Sequence, residues 1–259
     1  MGVLNVTPDS FSDGGQFFDP DKAVSHAQQM IKDGADLLDI GAESTRPGAI
    51  EISAAQECAR VVPIIRAVRA LSDIPISIDS RKTDVAQAAI NAGATIWNDV
   101  SALTFSPHSL AMAAGLNRPV IVMHAQGPPE TMQDNPSYHD PVEEIKSYLA
   151  ARIQSAVKAG VKRSNIIVDP GIGFGKRLDH NLAILSRLDD FHALGCSVLI
   201  GASRKSFIGQ IHPSPPDQRL GGSLASALWA AALGADIIRV HDVFESVQAM
   251  KTWGAIANG

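Results

Sequence analysis

A chain of 259 residues, 45% hydrophobic and 19% charged, can build one large α/β barrel or two ordinary domains around a sizeable core. Its net charge of −5 argues against a nucleic-acid partner, because a phosphate backbone calls for a basic face. No apolar run reaches membrane-spanning length and no charged segment precedes a signal-like stretch, so no membrane partner is expected and the cytoplasm is the natural compartment. The two cysteines, Cys58 and Cys196, lie in apolar surroundings without metal-ligand spacing and read as buried thiols of a reducing environment.

Strand-like runs alternate with helix-like stretches from end to end. Residues 1–6 already read as core, with a first strand over residues 3–6, so no N-terminal extension is expected. A turn-rich loop over 7–15 follows, then a helix from about Asp21 with Ala23, Ala27, Met30 and Ile31 at helical spacing. Residues 36–40 make strand two, and residues 43–48 a polar loop. Helix two carries Ala55, Ala59, Val62 and Ile65, and its Pro63 predicts a kink or a joint. Residues 75–79 form strand three, and the helix after it, with Val85, Ala86, Ala89 and Ile90, stops at Gly93.

Residues 95–98 and 119–124 read as strands four and five. A polar insertion over 125–140 separates strand five from a long helix ending near Gly160. Residues 166–169 and 197–201 form strands six and seven. An insertion over 204–218 carries three prolines before an Ala-rich helix over 224–233, then strand eight over 235–240 and a last helix with Val243, Val247 and Met250. Eight strands, each followed by a helix, predict a single (β/α)8 TIM barrel, one domain over residues 1–259. A doubly wound sheet is the alternative, but its usual G-x-G-x-x-G fingerprint is missing after strand one.

The stretch around strand six shows how such a strand would serve a site. Ile166, Ile167 and Val168 are buried-strand residues; Pro170 and the glycines at 171, 173 and 175 end the ladder. Asp169 is thereby fixed at a strand's C-terminal end, before a glycine-rich loop closed by the lone basic residue Lys176. Other strands repeat the arrangement, ending in Asn5, Asp39, Asp79, Asn98 and His124, in Ser203 with Lys205, and in Arg239 with His241. Active sites of TIM barrels lie at these ends, and a barrel built only for stability gains nothing by crowding ionisable groups there. Asp79, Asp169 and Asn98 suit a flat heterocycle bearing amidine-like N–H groups, a guanine or a pterin, on which Arg239 stacks. Asn5, Arg46, His241 and the helix N-terminus after strand eight suit a phosphate. The reaction does not follow from these residues.

Five motifs, in order, carry a resemblance over essentially the whole chain: Met1-Gly2-Val3-Leu4-Asn5-Val6-Thr7-Pro8-Asp9-Ser10-Phe11-Ser12-Asp13-Gly14-Gly15, then Asp39-Ile40-Gly41-Ala42-Glu43-Ser44-Thr45-Arg46-Pro47-Gly48, Asp169-Pro170-Gly171-Ile172-Gly173-Phe174-Gly175-Lys176, Ser203-Arg204-Lys205-Ser206 and Arg239-Val240-His241-Asp242-Val243. The chain resembles the dihydropteroate synthases. That family is a set of cytoplasmic, homodimeric transferases of folate biosynthesis and a target of sulfonamides. It joins 6-hydroxymethyl-7,8-dihydropterin pyrophosphate to 4-aminobenzoate, releasing pyrophosphate and 7,8-dihydropteroate. The resemblance implies Asp79, Asn98, Asp169, Lys205 and Arg239 on the pterin, with Val100, Met123 and Gly201 lining its pocket. It implies Asn5, Arg46, Arg239 and His241 at the pyrophosphate, and Asn5 at a Mg2+ ion. Thr45, Arg46, Pro47, Phe174, Ser203 and Lys205 would frame the aminobenzoate. Asp13, Asp79, Asp169 and Lys205 would carry the catalysis, Asp13 from a glycine-rich loop. The sequence departs from the family at its short start and at Ala125, where His-Met-Gln-Gly has methionine. The rival reading is a pterin-binding barrel that makes no dihydropteroate, either a binding module or a methyltransferase partnered with a corrinoid protein; such a barrel has no need of the aminobenzoate motifs.

Overall fold

Eight parallel strands follow one another in sequence order around one sheet: β1 Gly2–Asn5, β2 Leu38–Gly41, β3 Ile76–Asp79, β4 Ile96–Asp99, β5 Val120–Met123, β6 Ile166–Asp169, β7 Ser197–Ile200 and β8 Ile237–Ile238. The computed structural model describes residues 1–6, 19–43, 51–127 and 131–259. The helices are α1 Pro20–Lys32, α2 Ala54–Leu71, α3 Thr83–Ala92, α4 Ser109–Leu116, α5 Pro141–Ala159, α6 Leu178–Ser186, α7 Ser206–Ile211, α8 Leu220–Ala232 and α9 Val243–Asn258. Gly2 bridges Val240, with Val3 N donating to Val240 O at 2.9 Å and Val240 N to Met1 O at 2.9 Å, so the last strand returns to the first and closes the barrel. This is the expected (β/α)8 barrel. Among the described residues no helix is long and apolar enough to cross a membrane.

Alternation along each strand divides its side chains between two environments. Leu4, Leu38, Ile40, Ile76, Ile78, Val120, Val122, Val168, Val198 and Ile200 face the helices in the main core, each at most 1% exposed. Each such side chain contributes about 1.5–3 kcal/mol of burial, which is what lets the fold carry a polar interior. The inward positions change character along the barrel axis. Leu37, Ile96, Ile121 and Leu199, with Ile167 and Ile237 against them, plug the N-terminal end as a separate small cluster. One inward step later the residues are Asp39, Asn98, Met123, Asp169, Gly201 and Arg239, so the interior turns polar toward the C-terminal mouth.

Local chemistry sets the helix ends. Asp19 accepts from Asp21 N at 3.0 Å at the start of α1, Ser53 and Gln56 form a reciprocal capping box on α2, and Asp140 accepts from Val142 N at 3.0 Å before α5. Several expectations shift. Pro63 makes no joint: α2 runs through it, because Pro63 and Ala59, whose carbonyl loses its partner, both face water. Strand eight keeps only two ladder residues, since from Arg239 onward its bonds are divided between Ile200 and Met1 as the barrel closes. The Ala-rich helix begins at Leu220, ahead of Gly221 and Gly222; a Cβ on Gly222 would lie 2.3 Å from Ile208 Cγ2, so the glycine permits the close approach of α7 and α8. The insertion before it contains α7. Cys58 and Cys196 are half-buried free thiols rather than fully buried ones.

Candidate active site

Asp79 ends β3, Asn98 and Asp99 end β4, and Asp169 ends β6, in neighbouring registers of one sheet. Asp39 differs from its expected place. It is the second residue of β2, 1% exposed, and points into the barrel rather than ending the strand. From there it gathers the site: Arg239 Nε donates to Asp39 Oδ2 at 2.7 Å, and Asn98 Nδ2 donates to the same oxygen at 3.2 Å. Arg239 Nη2 also lies 2.9 Å from Asp79 Oδ2, so one guanidinium ties two carboxylates. Burial first, then the Asp39 charge, pushes the Asp79 carboxyl up to about 7, against the pull of Arg239. For Arg239 burial works against the charge, and Asp39 and Asp79 outweigh it, so the guanidinium is held cationic.

Asp169 accepts from Gly171 N at 2.7 Å and so uses one oxygen to close its own turn. Burial raises its pKa, while the Gly171 bond and the charges of Lys205, Arg239 and Lys176 oppose the rise. Gly171 has φ +73°, and a Cβ there would lie 1.9 Å from His124 O, so only glycine brings this loop against the end of β5. Beyond it, the Lys205 ammonium lies 4.1 Å from the centre of the Phe174 ring, a cation–π contact. Ser203 Oγ accepts from His241 N at 3.2 Å and lies 3.0 Å from His241 Nδ1. Burial, then Arg239 and Arg204, pushes His241 down to about 4, so the imidazole is neutral at pH 7.

A cavity of about 330 Å³ opens between these strand ends. Asp79, Val100, Met123 and Phe174 line it, together with Ala125 from the strand-five loop. Gly201 lies under the stem of Arg239, and Asn5 ends β1 as an exposed residue beside Gly41. The structure thus brings Asp79, Asn98, Asp169, Arg239, Val100, Met123, Gly201, Ser203, Lys205, His241 and Phe174 to the same mouth of the barrel. Asp13, Thr45, Arg46 and Pro47 lie outside the described residues.

Other features of the mouth were not read from the sequence. Glu43, Arg81, Phe105 and Tyr148 also line the cavity, and Arg81 lies over the Phe105 ring at 4.5 Å. The polar run Ser80-Arg81-Lys82 directly after β3 was the signal available for part of this wall. Among the described residues no group of three or more His, Cys, Asp or Glu side chains is arranged to hold a metal ion.

The family model described as pterin binding enzyme matches residues 1–241. The dihydropteroate synthase of Haemophilus influenzae is 48% identical over 258 residues, which is 100% of this chain and 94% of that protein. The Yersinia pestis dihydropteroate synthase, solved with a sulfonamide drug, superposes with a TM-score of 0.94 at 45% identity, covering 100% of this chain and 94% of that one. The Xanthomonas albilineans dihydropteroate synthase, solved with 4-aminobenzoic acid, gives 0.93 at 44% identity over 99% and 92% of the two chains. The chain belongs to the pterin-binding enzyme family and, within it, to the dihydropteroate synthases.

Proposed function

We infer that this chain, acting as a single TIM-barrel domain, joins 6-hydroxymethyl-7,8-dihydropterin pyrophosphate to 4-aminobenzoate, giving 7,8-dihydropteroate and pyrophosphate. The observation that carries this reading is the pairing, at one mouth, of a buried carboxylate–amide set with a cation resting on an aromatic ring. Asp79 and Asp169 accept the N–H groups of the pterin edge. Asn98, its amide N–H2 held by Asp39, offers its carbonyl to the same edge. Val100, Met123 and Gly201 form the walls, and Arg239 reaches both ring and pyrophosphate.

The bond from the pterin methylene carbon to the pyrophosphate oxygen breaks, and a bond to the aminobenzoate nitrogen forms. The amine proton then passes to solvent. An aniline nitrogen is neutral at working pH, so no base must act before attack. Charge stabilisation is the main requirement: Asp79 and Asp169 face the cation developing on the pterin, and one such preorganised group is typically worth about 3 kcal/mol. Asp13 adds a further carboxylate in this reading. With the Ser203 hydroxyl donating to its Nδ1, neutral His241 keeps its proton on Nε2 and donates it to a leaving-group oxygen, beside Arg46. Lys205, Phe174, Ser203, Thr45 and Pro47 frame the aminobenzoate.

The one amide oxygen of Asn5, with no acidic ligand cluster among the described residues, fits a Mg2+ ion held chiefly by the substrate's own phosphate oxygens. Bound there, the ion would neutralise charge on the departing pyrophosphate. The large exposed side chains Trp229, on α8, and Phe244, Trp253 and Ile256, on α9, support a homodimer joined through these two helices. A cytoplasmic enzyme and a sulfonamide target complete the reading. Pyrophosphate release with both substrates present tests it, since a barrel that only binds pterins releases none.

A further inference from the structure

Lys176 closes the glycine-rich loop after β6; its charge is one of three that oppose the rise of the Asp169 pKa, and no substrate contact is assigned to it above. It is 4% exposed, and burial pulls its pKa down to about 7. A buried ammonium is expensive, and an apolar side chain of the same length would pack at no such cost. Its three N–H groups do not go to a carboxylate. They point at Phe174 O (2.9 Å), His124 Nδ1 (3.0 Å) and His124 O (3.4 Å). The ammonium therefore ties the loop after β6 to the end of β5.

The tie is part of a longer one. Three successive carbonyls of the loop each accept from a side chain: Gly173 O from Gln133 Nε2 at 2.5 Å, Phe174 O from Lys176, and Gly175 O from Tyr138 Oη at 2.9 Å. Gly173 N donates to Asn181 Oδ1 at 2.8 Å, and Phe174 N to Gly171 O at 3.1 Å. A Cβ on Gly175 would lie 2.7 Å from Gln126 Cβ, so the loop is pressed against the insertion that supplies Gln133 and Tyr138. Phe174 is thus fixed at its N–H and its carbonyl, and its ring is what the Lys205 ammonium rests on.

We propose that Lys176 is a positioning residue. It fixes Phe174 and, through that ring, Lys205, and so sets the affinity for the aromatic amine. The proposal rests on the aminobenzoate site assigned under the function above. Lys176 touches no substrate; it acts through the backbone of residues 173–175.

Steady-state kinetics with each substrate varied tests this, with thermal unfolding as the control for folding. Lys176→Met should raise KM for 4-aminobenzoate about tenfold, by a clearly larger factor than it changes kcat or KM for the pterin pyrophosphate. Phe174→Leu should raise the same KM, and adding Lys176→Met to it should cost little more, because both act through one ring. Tyr138→Phe removes a single hydroxyl at the surface of the tie and should raise that KM two- to fourfold in a fully folded protein, which keeps the test open if Lys176→Met does not fold. An unchanged aminobenzoate KM in the folded Lys176→Met or Tyr138→Phe variant, or fully additive effects with Phe174→Leu, overturns the proposal. Absence of turnover in the unaltered chain would instead overturn the assigned reaction.

Discussion

Arg239 and Asp79 lie 160 positions apart in the chain, and their side chains meet at 2.9 Å across the barrel mouth. The same guanidinium holds Asp39, so removing it strands two inward carboxylates. Breaking a buried pair by deleting one partner typically costs about 3–5 kcal/mol. Arg239→Lys keeps a positive charge but not the planar fork that spans two acids. This variant should lose pterin pyrophosphate binding and unfold at lower urea concentration than the wild type, with the loss well beyond 1 kcal/mol. Equal unfolding midpoints would show that the fork carries no stability.

Asp79 provides a second test, with a sign that depends on pH. Its carboxyl is pushed up to about 7, above its ordinary 3.8, chiefly by burial. A raised carboxylate pKa means that the folded state binds the proton more tightly than the unfolded state. Between those two values stability falls as pH rises, and the cost of holding the carboxylate is complete above about 7. Asp79→Asn removes that cost. The variant should therefore gain in Tm relative to the wild type at pH 8 and much less at pH 5, while losing pterin binding at both. An identical Tm difference at the two pH values would count against a raised Asp79.

How far the sequence carried this architecture depends on the kind of information each element needs. The strands were legible because most of their outward positions are Ile, Val or Leu, with Gly2, Trp97 and Asp99 as exceptions, and the site because polar residues replace apolar ones at the inward positions nearest the mouth. Asp39 was misplaced by its position: it looks like a strand end in isolation, and only register with Ser77 and Val3 puts it inside. The start of α8 was hidden by Gly221 and Gly222, which read as breakers until the close packing on Ile208 is seen. Lys176 was noticed, but its partner His124, 52 positions away, is brought to it by tertiary structure and no local pattern predicts it.

Gly171 links that loop to β5 through space alone. At φ +73° an L side chain is already strained, and its Cβ would overlap His124 O at 1.9 Å. Gly171→Ala must therefore move the loop that carries Asp169's turn and Phe174. We expect a loss of several kcal/mol or insoluble protein, whereas alanine at Gly115, with nothing within 4 Å, should be neutral or mildly stabilising. Chemical denaturation of the two variants side by side makes the comparison; a mild Gly171→Ala would mean the loop is not pinned to β5.

A last prediction concerns the wall opposite that loop. Glu57 on α2 is fully buried, and Lys82, 7% exposed before α3, is its ion-pair partner at 3.0 Å. Lys82 also pairs with Glu43 at 2.5 Å, and Arg81 reaches Glu43 at 3.3 Å. Burial raises the pKa of Glu57, with Lys82 opposing the rise, and Glu43 and Glu57 hold Lys82 cationic despite its own burial. The three changes that dissect this cluster should not be equal. Lys82→Met leaves Glu57 buried without its cation, at a cost of about 3–5 kcal/mol. Glu57→Leu leaves Lys82 paired with Glu43 and replaces a desolvated acid by an apolar side chain of similar size, so its cost should be smaller. The double variant removes both buried charges, and Glu43 keeps Arg81. It should therefore be more stable than Lys82→Met alone, a second substitution partly rescuing the first. Urea unfolding of all three measures the ordering. A double variant no more stable than Lys82→Met would mean that the cost comes from lost packing of the lysine stem rather than from an unpaired acid.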